Sequence, residues 1–195
     1  MGEAENAGVP EAWPKRHGES AGALWSALAA SLLVAIAIAL AVTARSAFLF
    51  VSAGPIIYEF VERPLARASS PRSTILANGL ALLVAYSALA VFGLRGEPST
   101  LQEGVTLARA GAVVCAIAVL GGLLVLVGAV HPPAGSTLLL VTLGIMHQPL
   151  QLVCVFVGVV VLTACAWAVN RLAGLDVPIW TSPKPSPYQE VASDA

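Results

Sequence analysis

Apolar and polar positions fall along this chain in long blocks. Four apolar runs stand out, Ala21–Val42, Thr74–Leu94, Leu107–Val130 and Gln151–Val169. Each approaches the length of about 20 residues that a helix needs to cross a bilayer core. Two shorter apolar pieces lie between them. Ala47–Phe60 is interrupted by Gly54-Pro55, and Ala134–Met146 ends at His147-Gln148-Pro149. Polar segments punctuate the rest. Residues 1–20 carry Lys15-Arg16-His17 and read as a disordered cytoplasmic tail. Glu59–Arg72 holds Arg63, Arg67 and Arg72, and Arg95–Gly104 is a short polar loop. The Pro- and Ser-rich residues 176–195 read as a flexible C-terminal tail, which leaves one transmembrane domain over residues 21–175. The pattern predicts an all-α polytopic membrane bundle of four full spans with two short broken or re-entrant segments. The first run exceeds the roughly 7–15-residue apolar core of a signal peptide, so it is expected to persist as a span.

Composition sharpens this picture. Hydrophobic residues make up 57% of the chain and charged residues 11%, against about 25% charged in an average soluble domain. A formal net charge of −1 leaves no basic surplus for nucleic acid. There is no phosphate-binding glycine loop or zinc-ligand spacing, so no cofactor and no metal are expected. Cys115, Cys154 and Cys165 sit in apolar runs and read as small buried hydrophobes.

The order of segments repeats. A span, a short broken piece, a proline turn and a span occur twice, with Ala53-Gly54 matching Ala134-Gly135 and Pro71 matching Pro149. Paired Gly/Pro interruptions in two halves point to the binding site of a transporter. Whether the short pieces cross decides the topology. If they are re-entrant, Arg45, Arg63, Arg67 and Arg72 lie opposite the N-terminus. If they cross, only Arg45, Arg95 and Arg109 do. Basic residues favour the cytoplasm, so both counts put the N-terminus inside a cell membrane. The sequence leaves four and six crossings open.

Small residues recur on one face of three spans, at Ala23, Ala27, Ala30, Ala37 and Ala41, at Ala77, Ala81, Ala85 and Ala88, and at Gly111, Cys115, Ala118 and Gly122. They are expected to form packing seams. Arg45 and Arg109 are expected to snorkel from span ends, and Trp25, Trp167 and Trp180 to anchor at the interface. Thr142 and Thr163 are expected to bond to carbonyls of their own helices.

The break Val130-His131-Pro132-Pro133-Ala134-Gly135-Ser136-Thr137 carries the candidate chemistry. Two prolines stop the incoming helix but suit the first turn of the next one. A helix starting there would direct free N–H groups near Gly135 and Ser136 toward an anion. Ser136 and Thr137 add hydroxyls, and His131 can donate a hydrogen bond or carry a proton. Gly54, Pro55 and Asn78 are expected to complete the site from the first half. No Asp or Glu lies inside a full span, which disfavours a cation path. No carboxylate orients His131, so no enzymatic reaction is expected. The candidate site residues are therefore His131, Pro132, Pro133, Ala134, Gly135, Ser136, Thr137, Gly54, Pro55 and Asn78. The expected partners are the lipid bilayer and a small anion, and so few spans are compatible with a homo-oligomer.

The octapeptide Val130–Thr137 resembles the signature of the HPP family of integral membrane proteins. Ala53-Gly54-Pro55, Glu62-Arg63-Pro64, Ser70-Pro71-Arg72-Ser73-Thr74 and Asn170-Arg171-Leu172-Ala173-Gly174 extend the resemblance over about residues 21–180. The resemblance implies four spans and, because some plastid and cyanobacterial members are linked to nitrite transport, a nitrite-like anion. The chain departs from the family pattern at Ile56, where the family has Thr, and at Ala77-Asn78, where it has Gly-His. A non-transporting scaffold or partner subunit is the alternative.

Overall fold

The computed structural model describes residues 19–43, 45 and 53–180. Seven α-helices and one 3-10 turn make up the described chain, and no strand occurs among the described residues. In chain order they are α1 (Glu19–Thr43), α2 (Ala53–Glu62), the 3-10 turn Arg67–Ser69, α3 (Pro71–Val91), α4 (Thr100–Glu103), α5 (Leu107–Leu126), α6 (Pro133–Thr142) and α7 (Pro149–Leu172). Four of them, α1, α3, α5 and α7, are long and apolar enough to cross a membrane. Part of the expected Ala47–Phe60 piece, residues 47–52, and most of both tails lie outside the described residues.

Helix starts follow local chemistry. Ser70 caps α3 by accepting from the Ser73 amide, and Pro71 occupies its first turn. Thr106 caps α5 through the Arg109 amide. At α7, Pro149 sits in the first turn and the Gln151 side chain accepts from the Gln148 amide. The helices α3, α5, α6 and α7 also stop in one way. The glycines Gly93, Gly128, Gly144 and Gly174 each take positive φ, and the following amide bonds back to the carbonyl five residues earlier (Leu94 to Leu89, Ala129 to Leu124, Ile145 to Leu140, Leu175 to Asn170). This is the Schellman closure, which satisfies carbonyls that a helix end leaves unpaired.

Among the helix pairs in substantial contact, α3 packs against α5, α6 and α7, while α7 packs against α1, α2 and α3. Helix α1 also meets α2, α5 meets α6, and α2 meets α6. Exchanging α1, α2, α3 for α5, α6, α7 leaves this set of neighbours unchanged. The core between them is made of small and branched residues, including Ala77, Ala81 and Ala85 of α3, Ile56 and Phe60 of α2, and Leu138 and Val141 of α6.

Hydrogen bonds fix where α6 begins and ends. His131, two residues before it, lies 2.8 Å from the carbonyl of Ala68, just ahead of α3. At the other end the carbonyl of Thr142 accepts from Arg109, whose guanidinium also reaches the carbonyls of Glu97 and Pro98 beyond α3. The Thr100 amide donates to Leu143 in the same region. The start of α6 is thus tied to the segment ahead of α3, and its end, through Arg109, to the segment that follows α3. The end of α7 returns to the first face, where Asn170 bonds the Phe60 carbonyl and the Arg72 amide donates to Trp180.

Several expectations change. The seam expected on α5 faces outward, because Cys115, Ala118 and Gly122 are exposed and the buried stripe is Arg109, Ala112, Ala116, Leu120 and Leu124. On α1 the inward stripe is Ala29, Leu33 and Ala37, with Ala23 and Ala27 exposed. Only the α3 seam is buried as expected, at Ala77, Ala81 and Ala85. A lipid-facing surface is as apolar as a protein-facing one, so residue size alone did not separate the two faces. Arg109 does not snorkel. It is 2% exposed and bonded to three carbonyls at the far end of α6. Residues 176–180 are tied down as well, by an Arg171–Asp176 ion pair and by the Trp167 indole donating to the Pro178 carbonyl. Thr142 and Thr163 bond to the Leu138 and Val159 carbonyls of their own helices, as expected.

Candidate functional site

The His-Pro-Pro break joins α5 to α6. Pro132 already has helical angles, φ −53° and ψ −37°. The missing N–H groups of Pro132 and Pro133 fall where a helix has no acceptor for them. The next two amides are used. Ala134 donates to the His131 carbonyl and Gly135 to the Pro132 carbonyl, both at 3.0 Å. The free donor expected at Gly135 is therefore committed to the helix's own first turn. Ser136 turns inward on the helix too, its hydroxyl donating 2.7 Å to the Pro133 carbonyl.

His131 is fully buried. Its Nδ1 faces the Ala68 carbonyl. A carbonyl only accepts, so Nδ1 carries the hydrogen, and in a neutral ring Nε2 is then a bare acceptor. That Nε2 is buried and has no hydrogen-bond partner among the described residues. His131 lies in the connection between helices, outside the long spans. Burial lowers its pKa from 6.5 to about 4, and the bond to Ala68 opposes that shift. Around the break, Arg67 donates 2.9 Å to the Gly128 carbonyl. Arg72 reaches the carbonyls of Gly128 and Val127 at 3.3 and 3.1 Å. The backbone leading into His131 is thus held by two guanidinium groups.

One turn further along α6, Thr137 meets Asn78. The Thr137 hydroxyl donates 2.7 Å to Asn78 Oδ1, and Asn78 Nδ2 donates 2.9 Å to the Thr74 carbonyl of its own helix. Both residues are fully buried. Of the sequence-derived residues of the second half, Thr137 is thus bonded to Asn78 on α3. Pro133, Ala134 and Thr137 are buried, Gly135 and Ser136 half-buried, and Pro132 exposed. A methyl group at Gly135 would meet nothing within 4 Å, so there is room against its backbone.

Gly54 and Pro55 do not join this cluster. They open α2, and it is the other end of α2 that reaches the His131 face, where Ser69 bonds the carbonyls of Glu59 and Arg63. Eight residues of helix put Gly54 about 12 Å along the axis from Glu62. Arg67, Ala68 and Arg72 were missed as site residues. Ser70-Pro71-Arg72 was visible as a motif, but the arginines carried only topological meaning. The role of Ala68 rests on its carbonyl, which no side-chain pattern marks.

Among the described residues, no group of three or more His, Cys, Asp or Glu side chains is placed to hold a metal ion. What the break presents is one buried imidazole acceptor under two arginines, at the start of a helix passing through an apolar bundle. This is a polytopic α-helical membrane protein whose polar focus is a proline-broken helix start. The family description "HPP, transmembrane region" matches residues 15–178, and the chain belongs to that family. No curated protein and no solved structure gives a match.

Proposed function

We propose that this protein is a membrane transporter or channel for a compact anion, nitrite-like by family resemblance, with the His131 break as its binding position. The observation that supports this best is the buried His131 Nε2, without a partner among the described residues; four residues on, the backbone of Gly135 has open space against it. Burying a polar atom unpaired is unfavourable, and in membrane proteins such groups commonly mark a solute path. Because the Ala134 and Gly135 amides are used, recognition in this reading falls on the imidazole and on the field of Arg67 and Arg72. We assign no catalytic role. Ser136 donates to its own helix, and His131 is oriented by a carbonyl in place of a carboxylate.

In the same reading the two halves are inverted repeats. Six crossings leave only Arg45, Arg95 and Arg109 opposite the face of Arg63, Arg67, Arg72 and Arg171, and the positive-inside rule makes that richer face cytoplasmic. The test is nitrite uptake into proteoliposomes. His131→Ala and Pro133→Ala should each abolish uptake while the protein still inserts. Normal uptake in both variants would remove the site assignment.

A non-transporting scaffold is the second reading. It is favoured by the Asn78–Thr137 pair, which satisfies its own hydrogen bonds. A cysteine at Ser136, with Cys115, Cys154 and Cys165 replaced, separates the two. Reaction with a small water-soluble thiol reagent supports a wet path, and protection supports the scaffold.

A further inference from the structure

Resting on the transport reading, we infer that the species bound at His131 is a protonated weak acid, an anion travelling with one proton, so that transport is electroneutral. The inference comes from the tautomer. Nδ1 must donate, because it faces the Ala68 carbonyl. The neutral ring then offers only a lone pair at Nε2, in a buried position without a partner. A lone pair repels a bare anion and accepts from a donor.

Two kinds of donor solute can be compared: an ammonium-type cation, and a neutral acid, which is an anion accompanied by a proton. The charged groups bonded to the backbone just before His131 are Arg67 on the 3-10 turn and Arg72 on α3. Glu59, Glu62 and Arg63 lie at the end of α2, with the Glu59 and Arg63 carbonyls on Ser69, and at the end of α7 Arg171 is paired with Asp176. The end of α5 contributes only its carbonyls. Two guanidinium groups oppose a cation and draw an anion. The acid form satisfies both requirements, because its O–H faces Nε2 and its remaining oxygens face the positive field.

The proton transfer balances. The acid's O–H bond breaks as an Nε2–H bond forms, giving an imidazolium and the anion side by side, and the reverse step releases the neutral acid. No net charge enters or leaves the pair. Burial disfavours an imidazolium standing alone, so the proton and anion arrive and depart together.

Two measurements test this with nitrite as the probe. In the first, ¹⁵N-histidine-labelled native protein in nanodiscs is observed by NMR, with His131→Asn used to assign the signal. At about pH 6, close to the free imidazole range, the resting signal should show protonated Nδ1 and bare Nε2. Saturating nitrite should move Nε2 to the protonated form. A resting Nε2–H, or a His131 signal that nitrite leaves unmoved, overturns the inference.

In the second, proteoliposome uptake is followed under an imposed pH gradient or a potassium diffusion potential, with empty liposomes subtracted to remove passive acid leak. Below saturation, protein-dependent uptake should rise about tenfold per unit of external acidification, following the protonated fraction, and should ignore voltage. Uptake that follows voltage and ignores pH overturns the proton coupling but leaves the transport reading standing. No protein-dependent nitrite movement under either gradient overturns the transport reading, and this inference with it.

Discussion

Replacing Gly144 with alanine tests how the far end of α6 is held. Gly144 has φ +76°, and an added Cβ would sit 2.7 Å from both terminal nitrogens of Arg109 and 2.8 Å from its central carbon. Gly93 and Gly174 have nearly the same backbone, at φ +68° and +78°, but a Cβ there meets nothing within 4 Å. All three substitutions carry the left-handed penalty of about 1–2 kcal/mol. Only Gly144→Ala must also displace a guanidinium. A long side chain can usually move aside cheaply, but this one is 2% exposed and bonded to the Thr142, Glu97 and Pro98 carbonyls. Losing a single hydrogen bond to a charged group costs about 1.5–3 kcal/mol. Gly144→Ala should therefore destabilise by about 2.5–5 kcal/mol in total, against about 1–2 for Gly93→Ala. The assay is reversible unfolding in mixed micelles, comparing Gly144→Ala, Gly93→Ala and the pair with Arg109→Ala. In the Arg109→Ala background the extra cost should disappear, a coupling of about 2 kcal/mol. If Gly144→Ala and Gly93→Ala agree within about 0.5 kcal/mol, the Arg109 anchor is not rigid and the reasoning fails.

The Asn78–Thr137 contact should show up in a double-mutant cycle. Asn78→Ala with Thr137→Val should give a coupling of about 0.6–1.7 kcal/mol, the range for hydrogen bonds between membrane helices; additive effects would show that the 2.7 Å contact contributes nothing. Stability should also depend on pH through His131. Its pKa is lowered from 6.5 to about 4 on folding, so the unfolded chain takes up the proton first. The stabilisation is complete above the unfolded value and is lost as pH falls through the window down to the folded value, by an amount on the order of 3 kcal/mol. Thermal midpoints of native protein minus those of His131→Asn should decline across that window, and a flat difference would contradict the burial of the imidazole.

The long spans were legible because about 20 apolar residues in a row have few other structural outcomes. Their ends were less so. Pro71 and Pro149 read as punctuation before spans that start at Thr74 and Gln151, whereas each occupies the first turn of its helix. The apolar run to Val130 ends earlier as a helix, at Leu126, because Gly128 turns left-handed and closes it. The break itself was legible, since two prolines admit a helix start and little else. Its donor inventory was not, because the Ala134 and Gly135 amides find carbonyls only one turn back. Arg109 misled for a related reason. A basic residue near a span end usually reaches for the interface, and only the fold shows that the carbonyls of Thr142, Glu97 and Pro98 converge on it.

The two halves differ where it matters chemically. Matching Ala53-Gly54 to Ala134-Gly135 puts Ile56 at the position of Thr137, and matching Pro71 to Pro149 puts Phe156 at that of Asn78. Thr137 and Asn78 hydrogen-bond to each other. Ile56 is fully buried in the apolar core, and the Phe156 ring packs against Gly79, 3.2 Å from where a Cβ would stand. One half thus joins its helices through a polar pair, and the other offers hydrocarbon at both equivalent positions. The same matching places Phe50 opposite His131, a residue that holds no proton. Whatever symmetry the chain inherits, the buried imidazole with an uncommitted nitrogen lies at the Arg67 and Arg72 end, while Arg109 at the other end is bonded to three carbonyls. A solute that needs a proton acceptor and a positive field finds both there, under α3 and α6, and the other break supplies neither in its sequence.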